Sequence, residues 1–127
     1  MSIFGSSGFF GSSGNLTNIS GVQFSQEAEN TKRITYTSTA GGWETVYTVP
    51  AGKNLFIGSI IFLNVGGGAL TMRARLEATT ELFRGSIIAS DTEKIDYPIP
   101  VLATAGTVIE FDGAAANSII TILGWEA

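Results

Sequence analysis

The chain contains no cysteine and no histidine. The first absence removes disulfides, thiolate metal sites and cysteine nucleophiles. The second removes the commonest general base and the commonest metal ligand. Charge is also scarce: Asp, Glu, Lys and Arg make up 14% of the 127 residues, against about 25% in an average soluble domain. A small domain has a high ratio of surface to volume and normally covers itself with these side chains. One this poor in them either surfaces itself with Ser, Thr, Gly and Ala or hides surface against partners. The basic residues, Lys32, Arg33, Lys53, Arg73, Arg75, Arg84 and Lys94, are scattered along a chain of net charge −4. A phosphate backbone needs clustered cations, so nucleic acid is not an expected partner. The longest apolar stretch, Ile60-Ile61-Phe62-Leu63, is too short to span a bilayer. Met1-Ser2-Ile3-Phe4-Gly5 lacks a basic n-region and a continuous apolar h-region, so the chain is expected to be made in the cytoplasm without a signal peptide and without a membrane partner.

What is present divides in two. Residues 1–30 carry the repeat Phe4-Gly5-Ser6-Ser7-Gly8 and Phe10-Gly11-Ser12-Ser13-Gly14. Gly/Ser runs bury little and should not fold alone. Phe4, Phe9, Phe10, Leu16, Ile19, Val22 and Phe24 interrupt this one. Each exposed Phe forfeits a burial energy of roughly 1.5–3 kcal/mol. The composition fits an extended arm whose apolar groups press into pockets on another surface, and these seven residues are its candidate assembly contacts. A purification-tag remnant also contains such Gly/Ser runs, but not the interleaved rings. Asn15-Leu16-Thr17 and Asn18-Ile19-Ser20 match the glycosylation sequon, which without secretion is a chance match.

From residue 31 to 127 the pattern is β. Strands are expected over residues 31–39, 43–49, 54–64, 70–77, 82–90, 95–103, 107–111 and 118–126, separated by Gly- and Pro-containing turns. About eight short strands at this spacing predict an all-β antiparallel sandwich or barrel. Leu70, Met72, Ala74 and Leu76 alternate with Thr71, Arg73, Arg75 and Glu77, which favours strand over the helix that Ala69–Leu82 could otherwise form. Gly58 is expected at a bulge or close approach, and Pro98 and Pro100, two apart, mark an edge strand or one whose donor side is unpaired.

Candidate chemistry is thin. Glu110 and Asp112 share a strand face and could flank a sugar as paired carboxyls, or form a solvated face. Asp91, Glu93 and Asp96 could bind Ca²⁺ through oxygens, or form a solvated acidic turn. Trp43 and Tyr47, four apart, are expected on one strand face. With Tyr36 and Trp125 they offer either a stacking surface for a ligand or core packing. No metal site, cofactor site or catalytic residue is expected.

The stretch Val46-Tyr47-Thr48-Val49-Pro50-Ala51-Gly52-Lys53-Asn54-Leu55-Phe56-Ile57 resembles a hairpin found in small virion proteins of tailed bacteriophages. The terminal Ile119-Ile120-Thr121-Ile122-Leu123-Gly124-Trp125-Glu126 is compatible with them. The resemblance implies an antiparallel β-sandwich or jelly-roll-like domain with an extended N-terminal arm, acting as a head decoration (cement) protein: a homo-oligomer, most often a trimer, bound to the major capsid protein or other virion proteins through subunit contacts and that arm. A tail, baseplate or head-fibre component with a receptor-binding role, and a carbohydrate-binding module using Trp43 and Tyr47, are the alternatives.

Overall fold

The computed structural model describes residues 31–127; the expected contacts of the arm lie outside them. Eight strands follow one another: β1 (Thr31–Thr37), β2 (Trp43–Thr48), β3 (Leu55–Leu63), β4 (Leu70–Leu76), β5 (Thr80–Ile87), β6 (Thr92–Ala103), β7 (Val108–Asp112) and β8 (Ile119–Glu126). The stretch weighed as a helix, Ala69–Leu82, is a β-hairpin turning through Glu77, Ala78 and Thr79, with Leu76 opposite Thr80. From that turn the two halves of the chain pair outwards, β4 with β5, β3 with β6, β2 with β7 and β1 with β8. Successive pairs fall in opposite sheets, giving the orders β1-β8-β3-β6 and β2-β7-β4-β5. This is the jelly-roll arrangement, a long antiparallel ribbon wrapped on itself so that each apolar face meets the other.

Alternation along the strands fills the space between the sheets. Leu55, Ile57, Ile60 and Phe62 of β3, Met72, Ala74 and Leu76 of β4, Ile109 and Phe111 of β7, and Ile120 and Ile122 of β8 are all buried. Phe62 stacks on Phe83 with centroids 4.6 Å apart and meets Phe111 at 6.0 Å. Each of these side chains except Ala74 contributes roughly 1.5–3 kcal/mol of burial.

Three irregularities re-aim side chains. In β3 the register shifts between Ile57 and Ser59 against both neighbours, so Gly58 is the expected bulge. Opposite it, β6 spends four residues, Tyr97-Pro98-Ile99-Pro100, between the pairs Asp96↔Ser59 and Val101↔Ile57. β6 is an edge strand, as the two prolines require, since neither can donate to a further strand. The outer edge strands of the other sheet each carry a bulge too, at Val46 in β2 and Leu82 in β5. Bulges at edges discourage strand-to-strand aggregation.

Candidate functional site

The outer face of the β2-β7-β4-β5 sheet is built from charge. Two rows cross it in register: Trp43, Asp112, Arg73 and Arg84, then Thr45, Glu110, Arg75 and Glu81. Arg73 forms an ion pair with Asp112. Arg75 Nε donates to Glu110 Oε1 at 2.7 Å, and Arg84 pairs with Glu81 at 3.3 Å. The guanidinium carbons of Arg73 and Arg75 lie 4.5 and 3.8 Å from the centroid of the Trp43 ring, a cation–π contact that uses the ring's negative face. Trp43, Arg73, Arg75, Glu81 and Arg84 line a shallow hollow of about 130 Å³ with Ala78 and Thr79.

Glu110 and Asp112 therefore share a face, as their spacing predicts, but each is tied to an arginine. Burial pushes the Asp112 carboxyl up. The Arg73 guanidinium and the N–H groups of Ala114 and Gly42 outweigh burial and hold it below the usual carboxylate range. A general acid for glycoside cleavage needs the opposite shift. Among the described residues no three acidic side chains converge as metal ligands. Asp96 instead accepts a hydrogen bond from Ser59 Oγ at 2.7 Å and lies 3.5 Å from Lys94.

Trp43 and Tyr47 do not share a face. The bulge at Val46 lets β2 advance two residues while β7 advances one, so Trp43 stands opposite Asp112 on the outer face and Tyr47 opposite Ile109 on the core side. A one-residue slip reverses every later side chain. Tyr47 and Val46 pack against the core, and the Tyr47 hydroxyl donates to Glu126 of the facing sheet. Lys32 stands 3.7 Å from Glu126 and over the Tyr47 ring. Burial and the Glu126 hydrogen bond push the Tyr47 hydroxyl up. Tyr36 donates to Glu44 at 2.6 Å nearby. These contacts close the seam between the edge strands β1 and β2.

The outer face of the β1-β8-β3-β6 sheet has the opposite character. The rows across β8, β3 and β6 are Trp125, Phe56 and Leu102; Leu123, Ser59 and Asp96; Thr121, Ile61 and Lys94; and Ile119, Leu63 and Thr92. The two central strands place no charged side chain outward. Phe56 and Trp125 stack with centroids 5.3 Å apart and planes 13° from parallel. Leu102 is 49% exposed, and Ile99, at the crest of the β6 bulge, is 85% exposed. Sheet faces turned to water normally alternate apolar-in and polar-out. Here β3 and β8 carry apolar side chains on both sides, and only Ser59 and Thr121 interrupt them outward.

This face escaped the residue-by-residue reading, although its signal is in the chain. Ile60-Ile61-Phe62-Leu63 and Ile119-Ile120 are continuous apolar runs, the pattern of strands covered on both faces. The arm contacts Phe4, Phe9, Phe10, Leu16, Ile19, Val22 and Phe24 lie outside the described residues. No protein-family model matches the chain, and no curated protein matches it.

Proposed function

We propose that this chain is a non-catalytic structural subunit that assembles with copies of itself and with other virion proteins, of the kind that decorates and stabilises a phage head. The observation that carries the reading is the contrast between the two outer faces. One is laced with ion pairs and suits water; the other offers Phe56, Ile61, Leu63, Ile119, Leu123 and Trp125 on its two central strands, with charged side chains (Arg33, Lys94 and Asp96) only on the edge strands β1 and β6. A contiguous apolar surface of this kind marks an interaction site. On the opposite face the carboxylates of Asp112, Glu110 and Glu81 are each tied to an arginine, which favours a structural role for them. A decoration protein needs area and geometry rather than a reaction, since binding an assembled shell and not its parts stabilises the shell by mass action. The phage assignment rests on the hairpin resemblance at Val46–Ile57.

The test is a count of copies in particles of the phage whose genome encodes the chain, by quantitative mass spectrometry and imaging. Hundreds of copies on the head are expected. A few copies at the tail would move the assignment to a tail or fibre component, and absence from particles would overturn it.

A further inference from the structure

We propose that the outer face of the β1-β8-β3-β6 sheet packs on the same face of a second copy of this chain. The two copies are related by a two-fold axis parallel to the strands, with Arg33 of each against Asp96 of the other. The inference rests on the assembly reading and names the partner that its surface takes.

The charges of this face stand at its two edges. At the β1 edge, the Ser38 N–H donates to the Ser118 carbonyl and Thr35 Oγ1 lies 3.3 Å from Thr121 Oγ1. The two strands run in opposite directions through these contacts, so two residues further along Arg33 falls beside Leu123. Arg33 and Thr35 are both exposed. One row across the sheet is therefore Arg33, Leu123, Ser59 and Asp96. A guanidinium ends it on one side and a carboxylate on the other. They are three strand spacings apart, about 14 Å, too far to pair within one copy.

A face with opposite charges at the two ends of one row is complementary to itself. A two-fold axis along the strands lays β1 over β6, and β8 over β3, of the other copy. Arg33 then meets Asp96 at both ends of the row, Trp125 meets Phe56, and Ile119 meets Leu63. The Phe56–Trp125 stacks, each 5.3 Å between centroids, come together as four rings, the kind of group that protein interfaces favour. Lys94 meets Thr35, so among the described residues no two like charges are set opposite one another. Ser59 Oγ and Lys94 Nζ approach Asp96 at 2.7 and 3.5 Å, both through Oδ1, and Oδ2 can accept from the guanidinium. The stacked sheets keep their strands aligned, a common mode of sheet-on-sheet packing. An axis across the strands would instead lay β1 on β1, and that strand, TKRITYT, holds no carboxylate for Arg33.

The experiment uses the full-length chain. Arg33→Asp and Asp96→Arg are made separately, and sedimentation equilibrium gives the dissociation constant of the parent, of each variant and of their equimolar mixture. The parent is expected as a dimer. Either variant alone brings like charges together at both contacts and should raise the dissociation constant at least about tenfold. In the mixture the introduced carboxylate meets the introduced guanidinium, and the native Arg33 meets the native Asp96. A heterodimer of parental affinity should form, told from the homodimers by native mass spectrometry. Circular dichroism checks that each variant is folded, and Arg33→Glu or Asp96→Lys replaces one that is not. Variants that associate like the parent, a loss with Asp96→Arg that Arg33→Asp does not share, or a mixture no tighter than its components overturns this proposal and leaves the assembly reading standing. So does a parent that is a trimer. A parent monomeric at every concentration overturns both.

Discussion

Asn64 offers a sharp test of how the sandwich is locked. It is fully buried at the end of β3. Its Nδ2 donates to the carbonyls of Gly68 (2.9 Å), Ile87 (2.8 Å) and Ile88 (3.1 Å), and its Oδ1 accepts from the Gly66 N–H at 2.9 Å. One side chain thus ties the β3–β4 loop to the end of β5. In Asn64→Ala the carbonyl of Ile87 becomes a buried orphan, costing about 1–3 kcal/mol. The three partly buried partners lose about 0.5–1 kcal/mol each. The sum is about 2.5–6 kcal/mol, a fall of at least about 10 °C in melting temperature for a domain of this size. Asn64→Asp keeps the shape but points oxygens at three carbonyls. The introduced carboxyl should titrate above its unfolded value of about 3.9. Its folded state is then favoured below that pH and weakened as pH rises, so the variant should be less handicapped in acid than at neutrality. Urea unfolding of the three proteins at both pH values measures this. A loss under about 1 kcal/mol for Asn64→Ala, or a handicap for Asn64→Asp that ignores pH, would refute the reasoning.

Other consequences follow from single contacts. Asp112 titrates below the usual range in the folded state, so the stability it contributes is present above about pH 3.9 and is lost as pH falls through the lower folded value. Asp112→Asn should cost about 2 kcal/mol at neutral pH and flatten the acid limb of the denaturation curve; an unchanged acid limb would contradict this. A Cβ on Gly124 would collide with the Phe56 backbone carbonyl, which cannot move without breaking the β3–β8 ladder. Gly124→Ala should therefore lose about 2–3 kcal/mol. Gly67→Ala, in open space, should stay within about 0.5 kcal/mol of the parent in the same melting assay.

Local chemistry made much of the fold legible. The alternation Leu70–Glu77, the turn residues and the paired prolines each specify a backbone outcome within a few positions, and strands, edge and Gly58 bulge followed. The ion pairs Arg73–Asp112 and Arg75–Glu110 join residues more than thirty positions apart, and only the β4–β7 pairing brings them together. The separation of Trp43 from Tyr47 depends on an extra residue at Val46, which nothing in WETVYT announces. Even so, the continuous apolar runs in β3 and β8 were a readable sign that both faces of one sheet avoid water.

The most direct measurement of the central claim is the solution mass of the full chain and two surface variants by analytical ultracentrifugation. Ile61→Lys with Leu123→Lys places charge on the apolar face, and Thr45→Lys with Ser86→Lys does so on the opposite one. The account predicts an oligomer for the parent and for the second variant, and a 13.3 kDa monomer for the first. A parent that is monomeric, or an oligomer indifferent to lysines at Ile61 and Leu123, would contradict it.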